Sequence, residues 1–218
     1  MIYQLYDPEE IKKCKESIIK GNKNDIMISP AEFIDKILKI SKFNIKLAAF
    51  FSILYLTGSD IAEILIYKYR GKNEEFKHII KPGIMIKDFT LEKDPIVKTD
   101  WFCIKTRKEK RFDVKGIHYK YCRCEYVKDS YCYPLITLVD DYLENILKQG
   151  HNPEQPIFKF GYRYAFQMLQ KYLNVNPLTL KTIRARHLCK YESYDAKDFK
   201  RFFGENPSAT KLRLWNLK

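Results

Sequence analysis

The sequence predicts an α+β domain, mostly helical, with a small antiparallel three-stranded sheet on one side of a helical bundle. Three observations lead there. Apolar residues recur with helical spacing up to about residue 65, β-branched and aromatic runs broken by polar turns take over between Ile84 and Leu135, and the helical period returns after Tyr133-Pro134-Leu135. With 218 residues, 45% hydrophobic and 31% charged, the chain is long enough to bury a core without disulfides or metals. Its composition excludes a disordered, collagen-like or low-complexity protein.

Each element has a local cause. Asp7-Pro8-Glu9-Glu10 supplies an N-cap, a proline for the first helical position and acids for the helix dipole, and Gly21 stops that first helix. Residues 22–27 form a short polar link. Ser29-Pro30 opens a second helix carrying Phe33, Ile34, Ile37 and Leu38, and a very apolar third helix runs from about Asn44 to Leu56. Gly58 ends it, and Ser59 is expected to cap a short fourth helix bearing Ile61, Ile64 and Leu65, so that Thr57-Gly58-Ser59 is a tight joint. Strands are expected at 84–89, 101–105, 111–114 and 118–127, then helices at about 135–148, 161–173, 179–192, 196–203 and 207–215. There is no internal repeat and no evident linker.

Forty Lys and Arg against 27 Asp and Glu leave a formal charge of +13, which makes a polyanion the first partner to consider. Residues 98–128 and 179–218 each hold ten basic residues against four acids, and so carry +6 apiece. The longest apolar stretch, Ile45 to Thr57, contains Lys46 and falls short of the roughly 20 residues a bilayer needs. The N-terminus lacks the features of a secretory signal. A cytoplasmic protein with no membrane partner is therefore expected, associated with the nucleoid or present in a virus-infected cell. Six scattered cysteines do not make a disulfide scaffold. His118, Cys122, Cys124 and Cys132 have metal-ligating side-chain types, and Cys-x-Cys in a strand points both thiols to one face. Their spacing matches no common zinc module, so a metal site, a disulfide and plain thiols all stay open, with no metal or cofactor as the working expectation.

Four ordered blocks resemble the tyrosine recombinases, or phage-type integrases. Leu54-Tyr55-Leu56-Thr57-Gly58-Ser59-Asp60-Ile61-Ala62-Glu63-Ile64-Leu65 is similar to that family's first signature, an apolar helix followed by Thr-Gly-x-Arg-x-x-Glu-Leu, with Asp60 in the arginine's place. Ile104-Lys105-Thr106, a basic turn and Tyr133-Pro134-Leu135 resemble the hairpin that carries the family's catalytic lysine. Leu178-Thr179-Leu180-Lys181-Thr182-Ile183-Arg184 resembles the block Leu-Thr-x-His-x-Leu-Arg, with Lys181 at the histidine position, as in some archaeal members, and Arg184 as the second catalytic arginine. The segment from Phe202 to Trp215 resembles the closing block, with Glu205 in place of its histidine and Trp215 in place of the nucleophilic tyrosine; no tyrosine follows Tyr194.

The resemblance covers Ile28 to Lys218. It implies a recombinase-like catalytic domain over 28–218, an N-terminal helical extension over 1–27 and no separate core-binding domain. It also implies a metal-free reaction in which a tyrosine attacks a DNA phosphodiester, two guanidiniums clamp the phosphorane and a lysine protonates the leaving oxygen. The remnant catalytic set is Arg184, Lys105 and Lys181. Asp60 repels the phosphate an arginine would hold, and the indole of Trp215 forms no phosphate ester. Tyr191 and Tyr194 are the nearest other tyrosines. The resemblance turns Lys105, Arg107, Lys108, Lys110, Arg111, Lys181, Arg184 and Arg186 toward DNA phosphates.

The function expected is therefore that of a catalytically inactive recombinase-like protein that binds double-stranded DNA, alone, through self-association or beside an active recombinase. The alternatives are an active integrase with a divergent site and a protein-interaction module on the same scaffold. The Lys- and Ile-rich composition fits an AT-rich genome, such as that of an archaeon or one of its mobile elements.

Overall fold

Local chemistry sets the helix boundaries of the computed structural model. Side chains are described for residues 28–66, 83–89, 132–177 and 179–188, together with Glu9 and Lys12. Backbone alone is described for 67–68, 80–81, 90–93, 100–113, 116–128, 178 and 189–192. Helix α1 (Pro30–Ser41) begins in a capping box: Ser29 Oγ accepts the Glu32 N–H at 3.3 Å, and the Glu32 carboxylate accepts the Ser29 N–H at 3.0 Å. Its inward stripe is Phe33, Ile34, Ile37 and Ile40. Helix α2 (Ile45–Thr57) is capped by Asn44 Oδ1, which accepts the Leu47 N–H at 3.0 Å. Every residue from Leu47 to Thr57 is buried, and a helix apolar on all sides can only sit at the centre of a bundle. It stops at Gly58, whose φ of 60° is left-handed backbone open to glycine at little cost.

Helix α3 (Ile61–Ile64) is a single turn. Its N-cap is Asp60 rather than the expected Ser59, because the Ser59 hydroxyl is turned back to accept the Thr57 Oγ1 proton at 2.8 Å. Helix α4 (Tyr133–Lys148) carries Pro134 in its first turn and closes at Gly150, φ 81°, beyond which the His151 N–H returns to the Ile146 carbonyl at 2.9 Å. Helix α5 (Tyr162–Leu173) ends at Asn174 in left-handed backbone, and α6 (Pro177–Glu192) follows. The helix positions expected over 28–192 hold to within two residues.

Helix α2 packs against α1, α4 and α6. Beside it an aromatic cluster fills the space under the α4–α5 loop: Phe158 meets Phe50 edge-on at 5.3 Å between ring centroids and stacks with Tyr142 at 6.0 Å. The loop is tied across the body by backbone hydrogen bonds from Ile157 N–H to Ile84 O at 3.0 Å and from Ile84 N–H to Ile64 O at 2.9 Å. Gly83 permits this approach, since a Cβ there would lie 3.1 Å from the Ile64 carbonyl oxygen.

The expected class is corrected. The residues whose side chains are described are 70% helical and contain no sheet, so the body they form is all-α, not α+β with a three-stranded antiparallel layer. Among the described residues, the buried core is made by helix and loop residues, with Phe89 packed against it. Backbone pairing joins 89–93, 100–113 and 116–128 as antiparallel runs, whose side chains beyond Phe89 lie outside the described set. The strand expected at 84–89 is instead an isolated bridge from Met85 to Pro156 followed by a 3-10 turn at Ile86–Asp88. Asp88 closes that turn by accepting the Met85 N–H at 2.8 Å, a local bond that competes with strand pairing.

The helices expected at 7–20, 196–203 and 207–215 fall outside the described residues, apart from Glu9 and Lys12. Among the described residues no helix is long and apolar enough to cross a membrane.

Candidate functional site

Lys181, Arg184 and His187 recur every third residue along α6 and so form one stripe, which is turned into the protein rather than toward solvent. Arg184 is 2% exposed. Its guanidinium lies 5.0 Å from the centre of the Tyr55 ring, over the face of an α2 side chain, and Nη1 donates to Cys132 Sγ at 3.6 Å at the start of α4. Tyr55 is the hub of this cluster. Its ring also packs on Phe33 of α1 at 4.9 Å and edge-on to His187 at 5.7 Å.

His187 joins two distant segments. Its Nδ1 shares a short hydrogen bond with the Tyr55 hydroxyl, and Nε2 lies 2.9 Å from the Ile28 carbonyl oxygen. A carbonyl only accepts, so Nε2 donates to it, and Nδ1 is left to pair with the tyrosine hydroxyl. The cluster thus joins α1, α2, α4 and α6 through buried polar and aromatic contacts.

Lys181 stands at the edge of this cluster. Its Nζ is 3.7 Å from Asp60 Oδ1, with the lysine side chain 7% exposed and the aspartate side chain 49% exposed. Asp60 is positioned by the glycine joint: its N–H donates to Glu63 Oε2 at 2.7 Å, and its carbonyl accepts the Glu63 N–H at 2.9 Å. Glu63 is buried, and its carboxylate serves as an orienter of the joint. Solvent therefore meets the carboxylate first and the lysine behind it.

Asp60, Lys181 and Arg184 are brought together, while Arg186 is half-buried on the same helix. Lys105, Arg107, Lys108, Lys110 and Arg111 lie on the backbone run 100–113, with side chains outside the described residues. His118, Cys122 and Cys124 are in the same position on 116–128. Cys132 is a buried thiol serving Arg184, and among the described residues no group of three or more His, Cys, Asp or Glu could hold a metal ion. Glu205, Trp215 and Tyr194 are outside the described residues, and Tyr191 is described by backbone alone.

Tyr55 and His187 are the partners that motif reading passes over. The signal available for His187 was its three-residue spacing from Arg184; nothing local in an apolar helix marks Tyr55. No family model, no curated protein and no solved structure matches this chain.

Proposed function

We propose that this chain is a recombinase-like protein that binds duplex DNA and does not cut it. One observation carries the reading: the two segments that resemble the first and third recombinase blocks meet in space, with the Asp60 carboxylate against Lys181 and Arg184 one turn further along α6. A carboxylate there neutralises the lysine and opposes a phosphorane that gains negative charge, so strand cleavage by the recombinase route is disfavoured. The lack of any tyrosine after Tyr194 supports the same reading. Duplex binding rests on the +13 charge and its concentration in residues 98–128 and 179–218. In this reading Arg184 anchors α6, and the phosphate contacts fall to Lys105, Arg107, Lys108, Lys110, Arg111 and Arg186.

A salt-titrated duplex-binding assay and a denaturing-gel search for protein-linked DNA on a nicked substrate test it together. Binding should weaken on the order of tenfold or more between about 50 and 200 mM salt, with no covalent adduct. Salt-insensitive binding, or none at low salt, removes the DNA-binding part. A covalent adduct removes the non-cleaving part and makes Tyr191 and Tyr194 the residues to mutate.

A further inference from the structure

Lys46 breaks a local rule. It stands in the first turn of α2, where the helix dipole disfavours a cation, and that turn contains no acid to offset it. It lines an open pocket of about 450 Å³ together with Lys159 from the loop before α5, a size suited to a small ligand or one unit of a polymer. The pocket wall includes no carboxylate. Glu144 on α4 and Glu154 in the α4–α5 loop are already paired, with Lys148 and Lys87 respectively, and neither Lys46 nor Lys159 forms an ion pair with a described residue. Burial, and then the charge of Lys159, hold the Lys46 ammonium below the ordinary lysine range. Two cations facing one space without a counter-ion make the site favourable to an anion from outside.

The rest of the wall limits what that anion can be. Tyr142, Ile146 and Ile157 supply an apolar side, while Asn145 and Gln149 supply amides able to donate and accept at the edge of a planar heterocycle. Aromatic surface continues outward from it. Lys46 Nζ lies 5.8 Å from the centre of the Phe160 ring, Phe160 packs on Tyr164 at 5.4 Å, and Tyr164 in the first turn of α5 is 42% exposed. Tyr162, also exposed, lies two residues earlier on the same helix and so faces away from Tyr164.

We infer that this face binds single-stranded nucleic acid, with a phosphate between Lys46 and Lys159, its base in the pocket and a neighbouring base stacked on Tyr164. Duplex DNA fits it poorly, because paired bases present no free face to the tyrosine. The site lies on residues that the recombinase resemblance does not use, so it does not depend on the duplex-binding reading.

The test is fluorescence anisotropy of a labelled oligo(dT), a labelled hairpin duplex and a labelled thymidine monophosphate with the full chain. Tyr164→Ala should weaken oligo(dT) binding about fivefold or more, while Tyr164→Phe retains it. Lys46→Ala and Lys159→Ala should each lower the salt slope by about 0.7, and duplex affinity should stay within about twofold for all of them. Lys171→Ala, at the far end of α5, controls for the loss of one charge, and melting curves check that each variant folds. A Tyr164→Ala variant that binds oligo(dT) like the wild type would overturn the inference. So would pocket-lysine variants no weaker than Lys171→Ala, or a mononucleotide that binds as tightly as the oligonucleotide. Failure of the wild type to bind duplex would leave this site standing and remove only the duplex reading.

Discussion

Arg184 and Lys181 sit within the helical body, whereas Lys46 and Lys159 border an open pocket, and the two basic pairs differ in what surrounds them. Around Arg184 the molecule supplies its own partners, an aromatic face and a thiol, and in front of Lys181 it sets the Asp60 carboxylate. Around Lys46 and Lys159 it supplies none that is charged. A buried cation is costly unless paired, so the inward stripe of α6 reads as structure that holds helices together. The pair at the pocket faces open space. Among the described residues, motif resemblance therefore draws attention to a buried arginine, while Lys46 and Lys159 at the open pocket lie in no motif.

The largest effect that would break this comparison is expected at Arg184. Arg184→Ala removes a fully buried side chain from between Tyr55 and Cys132, and should lower stability by about 2 to 4 kcal/mol through the cavity and the lost contacts. Chemical denaturation measures it. A variant as stable as the wild type but weaker on duplex DNA would show that Arg184 serves phosphate after all, and the contrast drawn above would be wrong.

Tyr55→Phe sharpens the same side of the comparison. It keeps the ring under Arg184 and deletes only the hydroxyl that faces His187 Nδ1, leaving a buried acceptor without its donor. The expected loss is about 1 to 2 kcal/mol. An unchanged melting temperature would mean that the histidine is held by Ile28 alone.

Asp60→Asn should have the smallest effect on folding, less than about 1 kcal/mol, because asparagine caps a helix as well as aspartate and the ion pair is half exposed. Removing the carboxylate in front of Lys181 should nonetheless raise low-salt duplex affinity roughly two- to threefold, an effect screened away at high salt. If affinity stays constant across the salt range, Lys181 belongs wholly to the core and the duplex-facing surface lies elsewhere.

The helices were legible because their signals are local. Ser29-Pro30 with Glu32, Asn44 before an apolar run, and Gly58 and Gly150 after the last turns each act within four residues, through hydrogen bonds and backbone sterics that need no tertiary partner. Ser59 and Asp60 show the margin of that legibility. Either residue can cap, and the choice fell to Asp60 because Thr57 engages the serine hydroxyl. The α+β class was not legible in the same way. Alternating β-branched and aromatic residues favour extended backbone, but whether that backbone becomes a packed layer depends on a complementary face elsewhere in the chain. The segment 84–89 shows the failure directly, since a single aspartate, Asp88, closes a 3-10 turn within an otherwise strand-like run.

By itself, the sequence determined the positive charge and its two clusters, the very apolar character of α2, the glycine joint before α3 and the inability of Trp215 to act as a phosphate nucleophile. These follow from composition, from period and from the chemistry of single side chains. Tertiary structure alone decided which face of α6 turns inward, that Asp60 stands in front of Lys181, that Tyr55 joins Arg184 to His187, and that Lys46 and Lys159 share one pocket. The reason is physical. A residue's charge is a property of its own atoms, whereas its burial, its partner and its reach are set by segments more than a hundred positions away, as between Tyr55 and His187.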